Sequence, residues 1–240
     1  MKRVIVIGAG VAGLAAAARL QNAGYEVTLF EKEPLVGGKM NQIREEGFTF
    51  DVGPTIVMMP ELYREVFETC GRNADDYIPM EKVEPLMDIS FGPGDRLRLS
   101  NDLASMTAAV EAVGEKDAQG YFEYLALLYK RYLIAKDNFK PIDFYNPKSL
   151  VAGLRLHTLG DAYSSVAHHV KDDRLRKALA FQTLYIGISP FEGPSLYMII
   201  PMIELLYGVW FMKGGMYAMA QAMGRLFLEQ GGELRTSTPV

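Results

Sequence analysis

The chain opens with a hydrophobic pattern that predicts a strand, a tight turn, a helix and a second strand. Residues 4–7 are apolar and β-branched without polar alternation, which is typical of a strand buried on both faces of a parallel sheet. Small and apolar residues then recur at helical spacing, at Leu14, Ala17 and Ala18, until Gly24 ends the helix. Residues 27–30 form the next apolar run. The pattern therefore predicts a βαβ unit.

The turn of this unit has the glycine spacing of a dinucleotide-binding loop. Between strand and helix the sequence reads Gly8-Ala9-Gly10-Val11-Ala12-Gly13. Gly8 permits the tight turn, Gly10 lets a pyrophosphate approach the backbone, and Gly13 lets helix and strand pack closely. At the start of the helix, Val11 and Ala12 offer backbone N–H groups to an anion.

An acidic residue follows the second strand where a nucleotide site needs one. Glu31 lies 23 residues beyond Gly8, and an acid in this position binds ribose hydroxyls. The sequence therefore predicts a dinucleotide site, although the motif alone does not separate FAD from NAD.

The same residues also imitate a secretory signal peptide. Lys2 and Arg3 precede an apolar stretch, and alanines occupy positions 15–18. Three glycines within residues 8–13 are unusual in the apolar region of a signal peptide. A signal peptide also does not account for the second predicted strand. The dinucleotide site is the favoured interpretation.

Downstream, the pattern alternates between hairpins and helices. Residues 44–51 read as a strand that crosses back at the turn Glu46-Gly47, and residues 86–99 as a hairpin that turns at 92–95. Helices are predicted over 60–70, 102–113, 117–139, 150–169, 174–183 and 216–230, and a strand over 233–236.

Residues 194–212 form the most apolar run, and its 19 residues are long enough to span a membrane. Pro201, Glu204 and Gly208 interrupt it. We therefore expect a helix that ends near Gly208 and is either buried or touches a membrane with one face. Glu204 is expected to point away from the apolar side that contains Met202.

Composition narrows the class of protein. With 49% hydrophobic and 22% charged residues, the 240-residue chain is ordinary for a globular protein, and its net charge of −4 argues against nucleic-acid binding. Cys70 is the single cysteine, so no disulfide forms within the chain, which suits a reducing compartment. His157, His168 and His169 lack metal-ligand spacing. Thirteen methionines and thirteen tyrosines supply side chains that can line an apolar site.

Later motifs resemble those of a known family. Residues 36–39 (Val-Gly-Gly-Lys) and 50–55 (Phe-Asp-Val-Gly-Pro-Thr) resemble steps found in the FAD-containing amine oxidase and phytoene desaturase superfamily. A further set resembles the bacterial carotenoid desaturases, the family of phytoene and dehydrosqualene (diapophytoene) desaturases: residues 53–60, 180–187, 193–197 and 213–216. The resemblance covers the whole chain. The segment 132–144 is several residues shorter than the corresponding segment of the family, and the C-terminal half of the family has no counterpart in this sequence.

This resemblance implies an α/β fold, in which a Rossmann-like FAD-binding domain (a parallel sheet flanked by helices) carries an inserted, mostly helical α+β substrate domain. The expected boundaries place the first segment of the FAD-binding domain at residues 1–71. The inserted domain, which binds substrate and contacts a membrane, spans 72–210. Residues 211–240 return to a truncated FAD-binding domain.

The resemblance also implies FAD as the cofactor and adds five residues to its site. Gly38 and Lys39 match the Gly-Gly-basic step, where the cation lies near the phosphates. Gly53, Pro54 and Thr55 match the step that runs beside the isoalloxazine. No metal site is expected.

The implied reaction is FAD-dependent desaturation of a long polyene isoprenoid, dehydrosqualene (diapophytoene) or phytoene, in carotenoid biosynthesis. One hydrogen leaves as hydride to the flavin and the other as a proton. The base is not assigned: Glu204 and Asp143 lie in apolar or aromatic stretches, where a raised pKa is expected, but such residues are more often solvent-facing acids. Expected partners are the apolar substrate and a membrane surface, with the protein peripheral on the cytoplasmic, inner face of the cell membrane.

Two alternatives stay open. The first is a related flavoenzyme, either a carotenoid oxygenase or an amine oxidase, although the aromatic cage that an amine oxidase needs is not identifiable. The second is a non-catalytic nucleotide-binding fragment, and the 240 residues alone are expected to be inactive. Substrate length, the number of desaturations, the electron acceptor and the oligomeric state are not determined by the sequence.

Overall fold

The computed structural model describes residues 2–138, 156 and 160–240. The strands of this part are β1 (Arg3–Ile7), β2 (Glu26–Phe30), β3 (Asn41–Glu45), β4 (Phe48–Val52), β5 (Val57–Met58), β6 (Met80–Lys82), β7 (Met87–Gly92), β8 (Asp95–Leu99), β9 (Val209–Met212) and β10 (Glu233–Arg235). Its helices are α1 (Val11–Asn22), α2 (Pro60–Glu68), α3 (Leu103–Val113), α4 (Glu115–Asn138), α5 (Ala162–Ala167), α6 (Asp173–Ala180), α7 (Ile199–Tyr207) and α8 (Tyr217–Glu229). Short 3₁₀ helices lie at Ala74–Asp76, Phe181–Ile186 and Ser195–Met198.

The chain folds as two units. The first contains Met1–Val83 and Val209–Val240, and the second contains Glu84–Gly208. The predicted boundaries at 71/72 and 210/211 therefore differ from the structural ones. Residues 72–83 fold with the first unit because β6 pairs antiparallel with β9 in the sheet β5-β9-β6.

The first unit is built on a parallel sheet in the order β1-β2-β10. Helix α1 follows β1 and packs against α8, so that the apolar faces of both helices cover one side of the sheet. The predicted βαβ unit is confirmed. The expectation that β1 is buried on both faces is wrong for the described residues: Ile5 and Ile7 are 65% and 66% exposed. β1 is an edge strand of this sheet, and α1 packs on only one of its faces.

The other elements of the first unit follow local signals. β3 and β4 form the predicted hairpin, whose turn residues Glu46 and Gly47 both have positive φ. Pro60 begins α2 as predicted, since proline lacks only an N–H that the first turn leaves unpaired.

The second unit combines the hairpin β7-β8 with helices α3 to α7. Asp102 caps α3 by accepting a hydrogen bond from the Ser105 N–H (2.8 Å). The core of the second unit is formed by apolar side chains of the hairpin and the helices, among them Leu99, Val110, Leu128 and Leu175. In the helix predicted over 150–169, residues 150–155 and 157–159 lie outside the described residues, as does Asp143, and the later part contains α5.

The apolar run at 194–212 is not one helix. It divides into the last 3₁₀ helix, α7 and β9, and Gly208 ends α7 as expected. No helix in the described ranges combines the length and the apolar character needed to cross a membrane.

Candidate nucleotide site

The glycine loop of the first unit joins the carboxyl end of β1 to α1. Gly8 has a φ of +93°, and its N–H donates to the Phe30 carbonyl at 2.7 Å, which holds the loop against the end of β2. Gly10 precedes α1 in extended conformation and offers no side-chain cap. The first-turn N–H groups, including those of Val11 and Ala12, lack intrahelical partners and favour an anion.

Gly13 is required by close packing. A Cβ at this position would lie 1.9 Å from the Gly8 carbonyl oxygen, well inside van der Waals contact. Because that oxygen belongs to the backbone of the loop itself, any larger residue must displace the turn.

Glu31 lies directly after β2 and is only 7% exposed. Its Oε2 accepts a hydrogen bond from the Ala9 N–H (2.7 Å), and its Oε1 accepts one from the Glu33 N–H (3.0 Å). A carboxylate has about four lone-pair sites, so this one can still accept bonds from ribose hydroxyls. The structure thus brings the predicted acid to the glycine loop.

The Gly-Gly-basic step reaches the same loop. The Gly37 N–H donates to the Ala9 carbonyl at 2.8 Å, and a Cβ on Gly38 would lie 3.3 Å from the Gly10 Cα. The Lys39 side chain is exposed, which leaves its ammonium accessible to a phosphate.

The third predicted step, residues 53–55, contacts the Gly-Gly-basic step through Gly53. Gly53 has a φ of +99°, and a Cβ on it would lie 2.3 Å from the Lys39 carbonyl oxygen, so the end of β4 packs on the backbone of Lys39. Pro54 and Thr55 are exposed and lie between β4 and β5.

One neighbour of the acid carries no sequence signal. The backbone that follows β10 runs beside Glu31: the Thr238 N–H donates to the Glu31 carbonyl (2.8 Å) and the Ser237 N–H to the Glu33 carbonyl (3.0 Å). These bonds join residues far apart in the chain, and no spacing rule predicts them.

A second polar feature surrounds Asp51. Gln42 Nε2 donates to Asp51 Oδ1 (3.1 Å) and to the Gly214 carbonyl (3.5 Å), and a Cβ on Gly215 would lie 2.1 Å from Asp51 Oδ2. An open groove of about 380 Å³ is lined by Gln42, Arg44, Thr49, Asp51, Phe211, Gly214 and Gly215. In the sequence, the two adjacent glycines at 214–215 are the feature that indicates a close approach of this kind.

The carboxylate considered as a base lies in the second unit. Glu204 is 2% exposed, so the side of α7 opposite Met202, where the sequence places Glu204, is buried as well, and a solvent-facing position is excluded. Burial raises its pKa to about 7, although hydrogen bonds from Tyr185 and Gln182 act in the opposite direction.

In the first unit, the residues gathered at the carboxyl ends of β1 and β2 suit a dinucleotide. Glycines allow a diphosphate to approach an uncapped helix N-terminus, a buried acid has acceptor capacity left for a ribose, and an exposed lysine follows. Within the described residues, no group of three or more His, Cys, Asp or Glu side chains could hold a metal ion.

Comparison with known sequences agrees with this arrangement. The family described as flavin containing amine oxidoreductase matches residues 11–240. The 4,4'-diapophytoene desaturase (4,4'-diaponeurosporene-forming) of Staphylococcus aureus strain Newman is 49% identical over 235 residues, or 95% of this chain and 47% of the relative. The enzyme of the bovine strain RF122 matches to the same extent. The chain thus spans about half the length of these relatives.

Solved structures share the fold at low identity. An oxidoreductase from Methanosarcina mazei superposes with a TM-score of 0.63 and 19% identity, over 99% of this chain and 51% of that protein. Putrescine oxidase bound to putrescine gives a TM-score of 0.62 and 16% identity, over 100% of this chain and 51% of that protein.

Proposed function

The chain belongs to the flavin containing amine oxidoreductase family, and we propose that it is the nucleotide-binding and part of the substrate-binding portion of a carotenoid desaturase. Membership of the family implies FAD as the cofactor. The observation that carries the proposal is the 49% identity, over 95% of the chain, to an enzyme named for desaturating 4,4'-diapophytoene. The proposed reaction removes two hydrogens across a C–C bond of such an isoprenoid.

The residues described above fit FAD, and we assign them these roles. The N-terminus of α1 would hold the pyrophosphate, Glu31 would accept hydrogen bonds from the ribose hydroxyls, and Lys39 would neutralise phosphate charge. Residues 53–55 would contact the isoalloxazine. When bound, FAD supplies a two-electron acceptor that takes a hydride from the substrate.

The experiment that tests this function is anaerobic. The protein at its full natural length is loaded with FAD and incubated with dehydrosqualene, and the polyene products are followed by absorbance. A ladder of conjugated products supports desaturation. Parallel incubations in air and with amines test the alternatives: oxygen-containing products that form only in air would show an oxygenase, and turnover confined to amines would show an amine oxidase.

We further propose that the second unit contacts a membrane, from which an apolar substrate enters, with the protein on the inner face of the cell membrane. The support lies in residues 178–191, which contain no charged side chain. Four large apolar side chains of this segment are between 38% and 57% exposed: Phe181, Leu184, Ile186 and Phe191. An exposed apolar patch of this kind marks an interaction surface.

Liposome sedimentation tests the membrane contact. We expect the full-length protein to pellet with liposomes and to be released by mild detergent, because contact through a surface apolar patch is reversible. Replacing Leu184 and Phe191 by serine should shift most of the protein to the supernatant. The control is Leu228→Ser, which removes a side chain that is 50% exposed in the first unit. Equal pelleting of both variants and the wild type would contradict the assignment of this segment.

A polypeptide of these 240 residues alone should behave differently from the whole enzyme. Its first unit exposes Ile5, Ile7, Phe48 and Phe50 at 57–66%, and apolar side chains on strands promote association between chains. We expect weak binding of ADP or FAD, no desaturation, and aggregation. Gel filtration followed by flavin absorbance checks this. A soluble, yellow monomer that converts dehydrosqualene would show that the catalytic site lies within the 240 residues.

A further inference from the structure

A carboxyl and an amide face each other inside the second unit. Glu204 of α7 and Gln182 of the 3₁₀ helix Phe181–Ile186 are 2% and 3% exposed. Gln182 Nε2 donates to Glu204 Oε2 at 3.4 Å. Both side chains line a cavity of about 30 Å³ whose walls are mainly apolar, with leucines from β8, α4 and α6.

The remaining oxygen of each group is unsatisfied. Glu204 Oε1 and Gln182 Oε1 are both buried without a hydrogen-bond partner. Both are acceptors when Glu204 is ionised, so neither can satisfy the other. Leaving two buried acceptors unpaired is costly, and natural structures rarely do so.

A proton on Glu204 converts one of these acceptors into a donor. A neutral carboxylic acid donates an O–H while its other oxygen still accepts an N–H, which is the complement of a primary amide. We propose that Glu204 and Gln182 form a proton-binding site, in which Glu204 is a neutral acid that donates from Oε1 to Gln182 Oε1. The bond from Gln182 Nε2 to Glu204 Oε2 closes the pair on its other edge.

The surroundings favour the neutral form. Besides Glu204, the titratable side chains that line the cavity are Tyr121 and Tyr124 of α4, and burial raises the pKa of Tyr121 to about 12 and that of Tyr124 further. Tyr185, on the same 3₁₀ helix as Gln182, lowers the pKa of Glu204, but burial is the larger effect and raises it. Because none of the described side chains that line the cavity is cationic near neutral pH, this lining supplies no counter-ion for a carboxylate, in accord with a Glu204 pKa of about 7. The buried Arg131 of α4 donates instead to the Ser195 carbonyl (3.1 Å).

Infrared difference spectra of the full-length protein test the site. We expect the C=O stretch of a neutral carboxyl group at pH 6, where exposed acids are ionised, and its loss as pH rises through about 7. The band should be missing from Glu204→Gln. The control is Asp117→Asn, because Asp117 is also buried but accepts hydrogen bonds from the backbone N–H groups of Lys171 and Asp172 and lies outside the pair, so its replacement should leave the band unchanged. Absence of the band in the wild type, or its persistence in Glu204→Gln, would overturn the proposal.

A second variant keeps the test decisive if Glu204→Gln does not fold. Gln182→Met removes the amide that accepts the proton but keeps a similar volume. We expect the carboxyl band to remain and to move to higher frequency, because the C=O and O–H lose their hydrogen bonds. An unchanged frequency would show that the proton is not shared with Gln182.

Stability against pH gives an independent readout. An acid whose pKa is raised by folding, here from 4.5 to about 7, favours the folded state most below pH 4.5, and this contribution is lost as pH rises to about 7. The unfolding constant should therefore rise by up to about 300-fold across this window because of Glu204 alone. Glu204→Gln should flatten that part of the profile, and an identical profile would contradict the proposal.

Discussion

Replacing Glu31 by alanine is expected to weaken FAD binding by about ten- to a hundredfold. Hydrogen bonds to a charged group contribute roughly 1.5–3 kcal/mol, and 1.4 kcal/mol is about tenfold in affinity. The substitution also removes the acceptor of the Ala9 N–H, and Ala9 is fully buried. We therefore expect a further loss of about 1–3 kcal/mol in the free energy of unfolding. Flavin fluorescence titration and denaturant unfolding of the full-length protein measure the two effects separately.

Two further variants separate these roles of Glu31. Glu31→Gln keeps one acceptor oxygen and should bind FAD with intermediate affinity. Glu33→Ala is the matched control, because the Glu33 side chain is exposed and its backbone N–H, which donates to Glu31, is unchanged. FAD affinity in Glu31→Ala equal to that of the wild type would remove Glu31 from the nucleotide site.

Gly13→Ala is expected to abolish FAD binding and to destabilise the first unit. The added Cβ would lie 1.9 Å from the Gly8 carbonyl oxygen, so the loop must move away from α1. Overpacking of this kind costs about 1–3 kcal/mol, and the displaced loop no longer presents its N–H groups to the pyrophosphate. Thermal unfolding without FAD and flavin retention through gel filtration measure the two losses.

Gly10→Ala tests the space that the pyrophosphate needs separately from the space that packing of the loop needs. Gly10 has a φ of −69°, and a Cβ on it would have no atom within 4 Å. Gly10→Ala should therefore leave stability without FAD unchanged and weaken FAD binding, because only the pyrophosphate needs that space. Gly160→Ala, also without a neighbour within 4 Å, should change neither property. Normal FAD binding by Gly13→Ala would disprove the packing argument.

The nucleotide loop could be predicted from the sequence because its determinants are local. A β-branched run, three spaced glycines and a helical stripe specify β1, the turn and α1 within 20 residues, each through backbone geometry or periodicity. The position of Glu31 follows, since parallel strands joined by one helix end at the same edge. The turn at Glu46-Gly47 was likewise predictable from residue type.

Other features depend on contacts between segments that are distant in the chain, and only the tertiary structure decided them. Helical periodicity shows which residues share a face of α7, but the 3₁₀ helix Phe181–Ile186 determines that the face with Glu204 is buried. The Thr238 bond to Glu31 and the close approach of Gly215 to Asp51 join remote residues. The edge position of β1 and the unit boundary at β6 follow from strand pairing. Local propensity does not encode which surfaces meet, because burial is a property of the packed chain.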